Sequence, residues 1–210
     1  MAKGKVTRDD WTMAALAALA RGGVAAVAVD VLAKELAVSR GSFYWHFKNR
    51  DALLVAALEA WERLATGEVI EEVNAEPDPL KRARALFAVA LGDEEIAGLE
   101  PAIVAQVDHP AVAAVLQRVT RTRLDYLTAL FSDLGLPPRS ARQRAVAAYA
   151  AYLGWIELRR AVPHTAPETV ADGEGAAEAL DHLVDMITAG IPRAAEAGRR
   201  PSAAGQPKRR

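Results

Sequence analysis

Apolar residues recur along this chain at spacings of three, four and seven, the period of a helix with one buried face, and rarely alternate as a half-buried strand requires. After Asn49, the residues Leu53, Leu54, Ala57, Leu58, Trp61 and Leu64 share one face. Between Pro110 and Gly135, Val112, Leu116, Val119, Leu127, Leu130 and Leu134 do the same. Glycines and prolines cluster between these stretches. The pattern predicts a first helix over 8–20, opened by Thr7 with Asp9 and Asp10 in its first turn and closed by Gly22-Gly23. A short helix follows over 31–36 with Asp30 as its N-cap, then one from 40 to about 45 capped by Ser39, then a long one capped by Asn49. Further helices are expected over 79–91, 101–107, 110–134, 139–161 and 175–189, with a Pro/Gly-rich loop over 163–175. The fold class is all-α: an N-terminal three-helix unit over 6–66, joined by a long helix to a C-terminal helical bundle over 67–192. Residues 193–210 hold no large apolar side chain, and a segment that cannot bury apolar surface is expected to stay a disordered basic tail.

Composition agrees with helix, since 46 alanines and 22 leucines stand among 210 residues. It also removes several chemistries. Without cysteine there is no disulfide, no catalytic thiolate and no thiolate-ligated metal. The four histidines, His46, His109, His164 and His182, never pair within helical reach, so a helix-borne zinc site is excluded and no cofactor is expected. No apolar run approaches the roughly 20 residues of a membrane span, and the opening M-A-K-G-K-V-T-R-D-D lacks a signal peptide's apolar core. A soluble, cytoplasmic protein is the expectation. The net charge of −1 conceals an asymmetry: residues 1–50 carry +4, residues 51–192 carry −10 and the last eighteen carry +5. A basic head on an acidic body suggests a nucleic-acid contact confined to the N-terminal part.

The stretch over 31–50, V-L-A-K-E-L-A-V-S-R-G-S-F-Y-W-H-F-K-N-R, has the spacing of a helix-turn-helix. Leu32, Ala33 and Leu36 give the first helix an apolar face, Ala37-Val38 makes the turn, and Phe43 and Phe47 point inward from the second. Four of the chain's twelve aromatics, Phe43, Tyr44, Trp45 and Phe47, fall within five residues, with His46 among them and Lys48 next. A short helix cannot bury them all. Exposed Tyr, Trp, His and Lys bunched at a helix end are donors for phosphate oxygens, and the start of the next helix at Asn49 adds free N–H groups.

These residues resemble a known signature. Ser39-Arg40-Gly41-Ser42-Phe43-Tyr44-Trp45-His46-Phe47, followed by Lys48, Arg50 and Leu53, is similar to the motif of TetR-family transcriptional regulators, and the likeness extends over about residues 8–65. The resemblance implies that Arg40, Gly41 and Ser42 face the major groove, with Arg40 able to take guanine O6 and N7. It implies that Tyr44, Trp45, His46 and Lys48 hold the phosphate backbone. Two positions depart from the family pattern: Ala37 stands where the turn usually has glycine, and Ala28 stands where a threonine usually begins the second helix.

The acidic body shows no catalytic set, so no enzyme is expected. Val146, Tyr149, Leu153 and Ile156 form one stripe, and Leu180, Leu183, Val184 and Ile187 another, with small residues beside them. The resemblance implies a homodimer built from this pair of helices, hence a palindromic operator in double-stranded DNA with half-sites roughly 34–36 Å apart. It further implies a small-molecule effector inside the bundle. Trp61, Phe87, Val104, Tyr126 and Trp155 are candidate walls and Gln106 a polar handle, which suits a hydrophobic or aromatic molecule. The function so read is a dimeric repressor released from its operator by that effector. The alternative is a DNA-binding protein without an effector, or one controlled by a partner protein.

Overall fold

The computed structural model describes residues 6–92, 94–162 and 174–191, and among them it contains helices and no strand. The tail over 193–210 and most of the 163–175 loop lie outside the described residues. Helix α1 (Arg8–Ala26) begins with a capping box: Thr7 Oγ1 accepts from Asp10 N, and the Asp10 carboxylate accepts from Thr7 N at 2.7 Å. Those bonds hold the Asp10 pKa below the usual carboxylate range, the Thr7 backbone N–H contributing most. The expected stop at Gly22-Gly23 is a break inside the helix. Gly22 (φ −154°, ψ 25°) and Gly23 (φ 64°, ψ −163°) leave helical geometry, and one more turn follows.

α2 (Val29–Glu35) begins two residues earlier than expected, with Ala28 at the N-cap and no side-chain cap bond. Asp30 is therefore not the cap. It sits in the first turn, where a carboxylate suits the helix dipole and is free to pair elsewhere. α3 (Arg40–Phe43) is a single turn, and Ser39 precedes it without a capping bond from its hydroxyl. α4 (Arg50–Glu62) is capped by Asn49, whose Oδ1 accepts from Ala52 N at 2.9 Å. It continues through a π-helical turn (Arg63–Glu68) into α5 (Val69–Val73), so one rod runs from the head into the body.

α6 (Pro79–Gly92), α8 (Pro110–Asp133), α9 (Pro138–Ala161) and α10 (Glu174–Thr188) fall where periodicity placed them. α7 (Glu94–Val104) does not. The reading that put Pro101 at a helix start fails because Pro101 lies inside α7, where it merely lacks one N–H donor. Two cores result. The first joins Trp11, Leu32, Phe43, Leu58 and Trp61 of the head to Ile103 of α7 and Val112, Val115 and Val119 of α8. The head thus shares its core with the body. The second lies between α6, the end of α8, α9 and α10, where fully buried Ala141, Ala145 and Ala148 let α8 and α9 approach closely.

Candidate nucleic-acid interface

The tip is built by a tight turn. α2 ends at Leu36, Ala37 takes φ 53°, and two bonds close the end: Ala37 N to Lys34 O at 3.0 Å and Val38 N to Ala33 O at 2.9 Å. This is the Schellman closure, which usually places glycine where Ala37 stands. Val38 then packs on the first core and α3 leaves at an angle. Phe43 and Phe47 are buried with rings 5.7 Å apart, and Trp11 meets Phe43 edge-on at 5.4 Å. With both phenylalanines turned inward, Tyr44 and Trp45 between them turn outward. Trp45 is 86% exposed and Tyr44 56% exposed, and Arg40, Gly41 and Lys48 are exposed beside them.

The remaining positions are half-buried. Ser42 lies at the rim of the exposed surface. His46 is tied down: its Nε2 lies 3.1 Å from Val6 O, and its carbonyl accepts from Arg8 at 2.8 Å. Arg8 also lies over the Phe47 ring, 4.3 Å from its centre. Arg40 rests between two partners. Asp30 Oδ1 is 3.4 Å away and the Tyr44 hydroxyl 3.4 Å, both exposed to water and both raising the Arg40 pKa, Tyr44 the more.

Three residues outside the expected DNA contacts position this tip. Arg8 braces it from below and Asp30 orients Arg40. Arg50, part of the motif, donates Nε to Val27 O at 2.7 Å and a terminal nitrogen to Val24 O. Both carbonyls lie at the end of α1, after the Gly22-Gly23 break, so the end of α1 anchors the start of α4.

The body holds a cavity of about 470 Å³, including its solvent-open part, between the π-helical turn, α5, α6, α8 and α9. Phe87 and Tyr126 line it. Trp61 is buried in the first core and Trp155 packs on the second; neither lines the cavity. Val104 is 43% exposed on the surface. Gln106 lies away from the cavity because the chain turns outward after α7. Its carboxamide covers Gly23 and its Oε1 accepts from Val24 N at 3.3 Å.

The expected dimer stripes also divide. Tyr149 lines the cavity, and Ile156, Leu183, Val184 and Ile187 are buried in their own subunit's core. Leu153 is half-buried and Val146 is 50% exposed, while the side chain of Leu180 lies outside the described residues. The stripes turn inward because α10 packs on α6 and α9, leaving a different face of α9 outside. That face carries Val146, Ala147, Ala150, Gly154 and Leu158.

A one-turn helix presented by a tight turn, cationic and aromatic at its tip and set on an all-helical body, defines a helix-turn-helix regulator of the DNA-binding class. Residues 12–57 match the sequence profile of bacterial regulatory proteins, tetR family. The fold extends through the body in solved structures. A transcriptional regulator from Rhodococcus sp. Rha1 is 23% identical with a TM-score of 0.72, the match covering 88% of this chain and 97% of that one. A TetR-family regulator from Agrobacterium tumefaciens is 19% identical with a TM-score of 0.68, covering 87% and 97%. A TetR regulator from Legionella pneumophila is 15% identical with a TM-score of 0.68, covering 89% and 98%. At such identity these structures establish the shared fold. Among the described residues no helix is long and apolar enough to cross a membrane.

Proposed function

We propose that the protein is a homodimeric, cytoplasmic repressor whose tip reads a palindromic operator and whose cavity takes a small apolar effector. The observation that carries the reading is the outward display of Arg40, Tyr44, Trp45 and Lys48 on a buttressed turn. Arg40 supplies base recognition, and Lys48 with the two aromatics supplies phosphate contacts. The apolar face of α9 with Val146, Ala150, Gly154 and Leu158, together with exposed Met186 on α10, supports association of two subunits through these helices.

Release would work through the rod. Its head end is held by Arg50 on Val24 and Val27, and its far end, through Thr66, Val69 and Ile70, walls the cavity. A ligand that favours another position of that wall shifts the head. A coupling of about 1–3 kcal/mol changes operator affinity 5- to 150-fold, provided the ligand distinguishes the two arrangements.

The test is fluorescence anisotropy on duplex DNA with single substitutions. Arg40→Ala should cost about 1–3 kcal/mol on the preferred sequence and flatten the preference among sequences. Lys48→Ala should weaken binding to all sequences alike and reduce the salt slope by about one. Unchanged binding in both variants would remove the tip from the interface.

A further inference from the structure

The effector reading above leaves the ligand's charge open, and the cavity wall bears on it. Arg123 lines the cavity, and its partner Glu100 is buried behind it, the two side chains being 10% and 3% exposed. One terminal nitrogen of Arg123 donates to both Glu100 oxygens, at 2.8 and 2.7 Å. Its Nε donates to Thr66 Oγ1 at 2.9 Å and its other terminal nitrogen to Ala65 O at 2.9 Å. Glu100 also accepts from the Tyr152 hydroxyl at 2.9 Å and the Tyr149 hydroxyl at 3.3 Å. Burial works against the Arg123 charge, but the Glu100 carboxylate beside it favours the charged form and the guanidinium stays protonated. The one cation of the wall is thus matched inside the protein by one anion.

We propose that the cavity selects an uncharged, mainly apolar molecule whose polar atom is a hydrogen-bond acceptor, such as a ketone or ester oxygen. The other walls, among them Val69, Leu86, Phe87, Ala90 and Leu127, offer apolar surface. A ligand carboxylate would compete with Glu100 for Arg123 and leave one of two anions unpaired in low-dielectric surroundings. A ligand ammonium would meet Arg123. A neutral acceptor disturbs neither. Thr66, whose hydroxyl accepts from Arg123 and keeps its own hydrogen to donate, belongs to the cavity wall.

Isothermal titration of the full chain at pH 7.5 with three molecules of similar shape tests this. They are 2-acetylnaphthalene (neutral), 2-naphthoate (anionic) and 2-naphthylmethylammonium (cationic). The ketone should bind about tenfold or more tightly than either ion, and Ala90→Phe, which fills the cavity, should abolish its binding. In Glu100→Gln the cation loses its partner, and naphthoate should gain on the ketone; circular dichroism reports whether each variant is folded. If Glu100→Gln does not fold, the wild type and Ala90→Phe decide alone. Naphthoate binding as well as the ketone in the wild type, and lost in Ala90→Phe, would overturn the charge selection while leaving an effector site. Failure of naphthoate to gain in folded Glu100→Gln would overturn the role of Glu100. Binding by none of the three, or binding indifferent to Ala90→Phe, would overturn the cavity as a ligand site and the effector reading with it.

Discussion

Ala37 at φ 53° and Gly23 at φ 64° put the same backbone requirement on two different residue types. The left-handed conformation costs alanine about 1–2 kcal/mol; glycine removes that strain but loses about 0.4–1 kcal/mol through a freer unfolded chain. Ala37→Gly should therefore raise stability modestly, by up to about 1 kcal/mol in a urea melt, although an Ala→Gly change inside a helix normally destabilises. Gly23→Ala should do the reverse, with a loss of about 1–2 kcal/mol or more. Its new Cβ would stand 2.8 Å from the Gln106 carboxamide, which would have to give up Val24. A rise in stability for Gly23→Ala, or a fall for Ala37→Gly, would show that these turns are not strained as described. Ala37 was legible in the sequence because a short motif fixed its place in the turn. Gln106 was not, because its partner lies 82 residues away and nothing local to a glutamine says which backbone it will cover.

At the scale of elements, Thr7 with Asp10 and Asn49 announce helix starts through their own chemistry. Asp30 and Ser39, by contrast, make no capping bond, and the Gly22-Gly23 pair marks a break inside α1 instead of its end. The π-helical turn has no such sign, since Arg63–Glu68 reads as ordinary helix. It is visible only where Ala65 O and Thr66 meet Arg123. The same cluster gives an alkaline signature. Burial first, and Glu100 second, push the Tyr152 pKa above the ordinary 10.0, and Tyr149 is raised by the same causes. A group whose folded pKa is raised gives stability that is complete below its unfolded value and is lost as pH rises toward the folded one. Stability should therefore fall as pH rises above about 10. Tyr152→Phe should lower stability near pH 7 by about 1 kcal/mol, through the lost bond to Glu100, yet make the alkaline decline shallower. Parallel declines in wild type and variant, followed by denaturant melts at several pH values, would contradict the burial of that phenol.

In the whole molecule, head and body are less separate than their charge suggests. Charge marked the head as basic and periodicity marked the body as helical, and both describe surfaces. What joins them is core: Ile103, Val112, Val115 and Val119 pack with the residues that carry the tip, and Gln106 reaches the α1 break. Periodicity shows that a helix has an apolar face but not what that face meets. Ile156, Leu183, Val184 and Ile187 accordingly read as an interface and lie in a core, while the small residues Ala147, Ala150 and Gly154 were left outside on α9. The four aromatics in five residues escaped this ambiguity because α3 is too short to bury them all.

The tip's outward display, doubled by association of two subunits, leads to one direct measurement: selection of duplexes from a random DNA pool by the full chain at low salt. An inverted repeat with half-sites roughly one helical turn apart should be enriched, and the enrichment should be lost when Arg40 and Lys48 are both replaced by alanine. No enrichment over the starting pool, or an equal enrichment with the double variant, would contradict it.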